Sequence, residues 1–209
     1  MIKILLADDH TLFREGLKQI IAKHTNIKVV CEAGTGFEVL EQVKENEIDL
    51  VVLDISMPNM SVFEIITNIK TTNPKLPILI LSMHPEEQYA IRLFKAGVSG
   101  YLSKECAAEN LINAINKVTS GGKYISGTLA ETLAFAIDKN SNKPLHQLLS
   151  NREFEVMKMI VEGKELKEIA DLLCLSEKTI TTYRSRVLEK FNLRNNVELT
   201  RFVLENKII

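Results

Sequence analysis

Five polar side chains in the first half of the chain could act together on one charged group: Asp8, Asp9, Asp54, Ser82 and Lys104. Each follows a short apolar run of strand-forming residues: ILLA before the Asp8–Asp9 pair, LVVL before Asp54, ILIL before Ser82 and GYLS before Lys104. Three carboxylates brought together unpaired are costly, so the grouping calls for a cation among them. An all-oxygen set suits Mg²⁺, a hard ion that keeps several waters and bridges to phosphate oxygens. A hydroxyl and an ammonium at the same edge would complete a phosphoryl site in which metal and lysine neutralise the oxygens and a carboxylate attacks phosphorus. Taken one at a time, each residue has a plainer role. Asp8 or Asp9 could cap the first helix, Asp54 could cap the following turn, and Ser82 and Lys104 could be solvated surface. Their joint placement after four separate strands favours the site. No GxxxxGK[ST] or GxGxxG loop occurs, and the GTG at 34–36 follows the second apolar run, so a nucleotide-cradling loop is not supported.

The elements that must position these residues alternate over 1–119. β-rich runs at Ile2–Ala7, Ile27–Glu32, Leu50–Leu53, Ile78–Leu81 and Gly100–Leu102 are separated by stretches of helical period at Thr11–Lys23, Gly36–Glu45, Val62–Lys70, Glu86–Lys95 and Ala107–Val118. In the first helix Leu12, Phe13, Leu17, Ile20 and Ile21 are read as one apolar stripe. Five such repeats predict an α/β doubly wound, five-stranded parallel sheet, flavodoxin-like, with ligands at the carboxyl ends of the strands. Residues 120–147 read as a linker: TSGG ends the pattern, a helix is expected from about Ser126 to Ile137, and DKNSNKP at 138–144 is polar and ends in proline. From 148 to 209 the pattern is wholly helical, predicting a small all-α four-helix domain. SNRE at 150–153 is a capping box and Gly163 closes that helix. Helices follow at about Leu166–Leu173, from Ser176 or Glu177 to Phe191, and at Asn196–Glu205.

A helix, a turn at Cys174–Ser176 and a second helix make a helix-turn-helix, whose second helix enters the DNA major groove. Ile180, Val187, Leu188 and Phe191 mark its buried side. Lys178, Thr179, Thr181, Thr182, Tyr183, Arg184, Arg186 and Lys190 are the candidate DNA contacts, Thr182 and Arg186 for bases and Lys178, Thr179 and Tyr183 for the backbone. The bland reading of the same residues is a solvated face on a protein-interaction module. Net charge is −1 overall, which excludes a histone-like body, yet residues 177–191 carry four basic against two acidic side chains.

Residues 1–119 resemble the receiver domain of two-component response regulators, and 148–209 the LuxR-type helix-turn-helix output domain, on LSNREFEV, Gly163, KEIADLLCLSEKTI and LEKF. The pairing resembles the FixJ/NarL class. It implies phosphorylation of Asp54 by a histidine kinase and Mg²⁺ held by Asp8, Asp9, Asp54 and the backbone carbonyl of Ser56. Ser82 and Tyr101 would be the switch pair and Lys104 the phosphate's counter-ion. It further implies a homodimer on paired half-sites of double-stranded promoter DNA and contact with RNA polymerase. The receiver would promote only its own phosphoryl transfer and dephosphorylation. The last helix offers Val197, Leu199 and Val203 as apolar candidates for the dimer surface, with core packing competing for all three. Two departures stand out. Val62 replaces the glycine usual four residues after the proline of MPNM, so a different loop geometry is expected, and Tyr183 replaces a histidine. A signalling adaptor whose helical domain binds protein is the rival reading. Cys31, Cys106 and Cys174 form no disulfide or zinc pattern and read as three buried or semi-buried thiols in a reducing compartment. With no span-length apolar run and no leader pattern at the start, a cytoplasmic protein without a membrane segment is expected.

Overall fold

A computed structural model of the chain describes residues 1–83, 86–127, 130, 149–206 and 208, without the side chains of 86–88. The chain divides into two compact units, 1–133 and 134–209. Most of the helix expected at 126–137 and the whole 138–144 segment lie outside the described residues.

In the first unit, strands β1 (Ile2–Ala7), β2 (Ile27–Ala33), β3 (Leu50–Asp54), β4 (Ile78–Ser82) and β5 (Gly100–Ser103) form one sheet in the order β2-β1-β3-β4-β5, every neighbour parallel. This is the doubly wound arrangement, with its switch point between β1 and β3. Helices α1 (Thr11–Ala22), α2 (Gly36–Glu45), α3 (Val62–Thr72), α4 (Glu86–Ala96) and α5 (Ala107–Thr119) make the crossovers, and a 3₁₀ turn, Lys104–Cys106, precedes α5. Strand alternation sorts the core into two faces. Ile4, Leu6, Leu50, Val52, Leu79, Leu81 and Leu102 join Leu17 and Ile21 of α1 and Leu111, Ile115 and Val118 of α5 in one buried cluster. Leu12 is not part of the apolar stripe: it is 87% exposed, because at about 100° per residue it falls off the arc shared by Phe13, Leu17, Ile20 and Ile21.

Residues expected to begin the linker still belong to this sheet. Tyr124 bridges to Gly100 at the β5 edge, Tyr101 N–H donates to Tyr124 C=O at 3.0 Å and Tyr124 N–H to Ser99 C=O at 3.0 Å. Gly100 permits the approach, since a Cβ there would lie 2.8 Å from Leu79 Cδ1 and 2.9 Å from Tyr124 Cβ.

The loop at 57–61 resolves the question raised by Val62. The left-handed residue is Asn59, with φ 65°, and Val62 is the buried first residue of α3 behind a Ser61–Glu64 capping box. The loop therefore makes no glycine demand at 62.

The second unit holds α6 (Asn151–Val161), α7 (Leu166–Leu172), α8 (Glu177–Phe191) and α9 (Asn196–Glu205). Helix α8 packs on both α6 and α7, and α9 on α6. The Ser150–Glu153 capping box forms as expected. Helices α6, α7 and α8 all end in the same way, on a left-handed residue: Gly163 at φ 87°, Cys174 at 52° and Asn192 at 55°. Each of the three next residues donates its N–H five positions back, Lys164 to Met159, Leu175 to Ala170 and Leu193 to Leu188. Ile180, Val187, Leu188 and Phe191 are buried as expected. Two further expectations fail. Leu199 and Val203 are fully buried among their own domain's helices, because α9 must cover α6 and the ring of Phe191, which sits 5.1 Å from that of Phe202. Of the cysteines only Cys31 is buried; Cys106 and Cys174 are exposed, Cys174 because a helix-ending left-handed residue points away from the core.

Candidate functional site

The register brings the predicted acids together. Ala7 pairs with Leu53, so Asp8 and Asp54 are the next residues on adjacent strands. Asp54 and Ser82 are themselves the last ladder residues of β3 and β4, one position deeper than the sequence boundaries placed them. Asp8, Asp54 and Lys104 share the alternation parity of the α1–α5 face, whereas Ser82 and Tyr101 share the opposite parity. All five are buried. The Lys104 ammonium lies 2.7 Å from Asp8 Oδ2 and 2.9 Å from Asp54 Oδ2, and 4.7 Å above the Phe13 ring. The contact to Asp8 is an ion pair off the hydrogen-bonding direction, which leaves a buried carboxylate oxygen without a hydrogen bond. Burial pushes the Asp54 carboxyl above its usual range, with Lys104 and the Ser56 N–H opposing. For Lys104, burial works against the charged form, but the two carboxylates beside it, Asp8 and Asp54, outweigh that and hold the ammonium above its usual value.

Asp9 is partly open to water, and ligand atoms of Asp8, Asp9, His10 and Asp54 all lie within 4.8 Å of one another. Three carboxylates against one ammonium leave an excess of two negative charges. A buried carboxylate oxygen without a hydrogen bond, an oxygen-rich donor set and one water-exposed side fit a hard divalent cation that keeps part of its hydration. Asp8 does not cap α1, contrary to its plainer reading: the N-cap is His10, without a side-chain cap, and Asp8 Oδ1 accepts the His10 N–H at 2.8 Å.

In the helical unit, the outer side of α8 presents Lys178, Thr181, Thr182, Ser185, Arg186 and Glu189, all exposed. Thr179 is half-buried and bonded to the N-cap Ser176, Tyr183 is half-buried, and Arg184 donates from Nε to Asn196 Oδ1 at 2.6 Å. Lys190 is 2.6 Å from Glu153 Oε2. Of the three dimer candidates only Val197 is exposed.

Residues 4–116 match the family model "Response regulator receiver domain", and 147–203 match "Bacterial regulatory proteins, luxR family". The chain is 35% identical over 207 residues to response regulator UvrY of Escherichia coli K12, covering 99% of this chain and 95% of that one. The chain belongs to the response regulators with a LuxR-type DNA-binding domain. Response regulator GacA of Pseudomonas syringae is 33% identical over 210 residues, covering 100% and 98%. RcsB of Salmonella enterica serovar Typhimurium, solved bound to promoter P1flhDC in the presence of the phosphomimetic BeF₃⁻, shares the fold at TM-score 0.73 and 22% identity, over 97% of this chain and 98% of that one. Among the described residues no helix is long and apolar enough to cross a membrane.

In this response regulator, then, Asp8, Asp54 and Lys104 meet directly, Asp9 stands at the open rim, and Ser82 and Tyr101 approach from the other parity. Three neighbours escaped the sequence reading. The His10 ring Nδ1 lies 2.7 Å from Asp9 Oδ1, Phe13 underlies the lysine, and the Arg14 guanidinium donates to the Asp8 carbonyl. His10 and Arg14 follow the Asp pair closely enough to be suspected; the Phe13–Lys104 stacking spans most of the domain and leaves no local signal.

Proposed function

We propose that this response regulator, acting in the cytoplasm, accepts a phosphoryl group on Asp54 from a histidine kinase and so controls binding of its LuxR-type domain to promoter DNA. The domains are assigned as 1–119 receiver, 120–147 linker, with Tyr124 of that stretch still paired to the receiver's sheet edge, and 148–209 DNA-binding. The observation that carries the reading is the buried triad: an ammonium held between Asp8 and Asp54, beside a carboxylate cluster with an excess of negative charge. Asp8, Asp9, Asp54 and the Ser56 carbonyl would hold Mg²⁺, which when bound supplies charge neutralisation for the transferring phosphoryl oxygens. Burial makes the Asp54 carboxylate a more basic, hence more nucleophilic, oxygen donor. Its oxygen forms the new O–P bond as the bond to the donor's imidazole nitrogen breaks, and the histidine leaves carrying the electron pair. Lys104 is already in place to follow the new charge, and Ser82 and Tyr101, buried on β4 and β5, form the two-state element that reads it. The chain's own chemistry ends there, with hydrolysis of the aspartyl-phosphate, so it is a switch rather than an enzyme with an external substrate.

DNA contact is assigned to Lys178, Thr181, Thr182 and Arg186 on the exposed side of α8, with Thr179 at its N-terminus and Tyr183 beside them. A homodimer on paired half-sites would use Val197 and Leu204, exposed at 79% and 58% and seven residues apart on α9. RNA polymerase is the further partner. Selection from fragmented genomic DNA, with wild type and Asp54→Ala, with and without acetyl phosphate and Mg²⁺, tests the whole reading. The expected result is a paired motif whose recovery sharpens with the donor in wild type alone. Sequence-specific recovery that ignores the donor would remove the phosphoryl switch, and no enrichment would restore the protein-binding adaptor.

A further inference from the structure

Four basic residues lie on α8, and they do not share one environment. Successive residues of a helix are offset by about 100°, so Thr181, Thr182, Ser185 and Glu189 fall within about 60° of Lys178, with Arg186 at about 80°. Arg184 and Lys190 fall about 120° to either side. Each of these two flanking cations is tied to a different neighbouring helix: Arg184 to Asn196 at the start of α9, and Lys190 to Glu153 in the first turn of α6.

The second tie is the more consequential. Glu153 is only 4% exposed, and its Oε2 accepts both the Ser150 N–H and the Lys190 ammonium at 2.6 Å. One carboxylate oxygen therefore closes the N-terminal capping box of α6 and anchors the last turn of α8, 37 residues later. Burial alone would raise this carboxyl; Lys190 and the Ser150 bonds more than reverse that and hold it below its usual range. A lysine spent on a buried carboxylate is poorly placed to grip a phosphate, because leaving would strand the charge behind it.

We propose that Lys190 is a positioning residue, not a DNA contact: through Glu153 it fixes the tilt of the recognition helix on α6, with the Arg184–Asn196 bond as the opposite brace. This deepens the DNA-binding assignment and rests on it. The two possible roles of Lys190 predict opposite outcomes for Glu153→Gln, a mild variant that keeps the cap acceptor and removes only the charge. If Lys190 braced nothing and could reach phosphate, freeing it would strengthen DNA binding and steepen its salt dependence. As a brace, its release weakens binding by the same factor at every salt concentration.

The test measures affinity of the full-length, phosphorylated protein for the duplex recovered by genomic selection, by fluorescence anisotropy from low to moderate salt. Glu153→Gln and Lys190→Met should each lower the line of log K against log salt in parallel with wild type, and the double variant should fall no further than either single one. Lys178→Ala, as the phosphate-contact reference, should flatten the slope by about one. The coupling is also read without DNA, as non-additive losses of thermal stability in the two variants and their combination. Flattening by Lys190→Met, tighter binding by Glu153→Gln, or additive stability losses would each overturn the proposal. Absence of binding by wild type would instead sink the DNA-binding assignment, leaving the stability cycle to decide the brace.

Discussion

Replacing Lys104 with methionine keeps the stem of the side chain and removes the charge that separates Asp8 from Asp54. The ammonium makes ion pairs of 2.7 and 2.9 Å, its side chain is 6% exposed, and both carboxylates are buried. Removing one partner from a buried pair costs about 3–5 kcal/mol, because the remaining charge is stranded. Here Asp9 opens the cluster to water and Asp54 can take up a proton, so the expected loss lies near the lower limit, about 3 kcal/mol. That corresponds to a fall of roughly 10 °C in the melting temperature of the receiver transition.

The same geometry makes two conditional claims. The metal ligands no longer share their site with an ammonium, so Mg²⁺ should restore much of the loss, about 2.7 kcal/mol at a hundredfold excess over its dissociation constant. Asp54 is already raised in the folded protein by burial, so its contribution to stability is full below the unfolded pKa and is lost as pH rises through the folded value. Without Lys104 the folded value moves further up. The deficit should therefore be small near about pH 4 and grow from there toward neutrality. Differential scanning calorimetry of the full-length protein in EDTA and in Mg²⁺, across that pH range, reads all three effects. A loss below about 1 kcal/mol, the range of an exposed pair, that ignores both Mg²⁺ and pH would refute the claim that this ammonium is the charge balance of the cluster.

Gly100→Ala should cost about 1–3 kcal/mol by overpacking against Leu79 and Tyr124, and it should raise hydrogen exchange at the Tyr101 and Tyr124 amides, whose bonds join residue 124 to β5. Leu199→Ala should destabilise the output domain by about 2–5 kcal/mol in chemical denaturation, whereas Val197→Glu should change stability by less than about 0.5 kcal/mol and shift sedimentation of the phosphorylated protein toward monomer. Cys174→Gly, at a left-handed position, should be stabilising by up to about 1 kcal/mol in the same denaturation measurement; a clear loss would show that the thiol packs better than its exposure indicates.

The alternation of apolar strands and amphipathic helices is a local pattern, so the five-stranded parallel sheet, its crossovers and the four C-terminal helices were all legible in the residues themselves. So was the edge at which the acids gather, because each of Asp8, Asp54, Ser82 and Lys104 stands at the end of a strand and parallel strands align those ends. Capping at Ser150 and the buried side of α8 were equally local, set by spacings of three and four residues. What the chain did not declare was pairing across long separations. That Lys104 splits its charge between two carboxylates and lies over Phe13, that Leu199 and Val203 turn inward, and that Asn59 rather than residue 62 takes the positive φ all depend on which surfaces meet. The same holds for Arg184 and Lys190. By sequence they are basic residues of a recognition helix like Lys178 and Arg186, and only the packing of α6 and α9 against its flanks decides that these two meet Asn196 and the Glu153 carboxylate. Periodicity specifies which side of an element is apolar; the partner of a buried charge is chosen by the close packing of elements far apart in the chain.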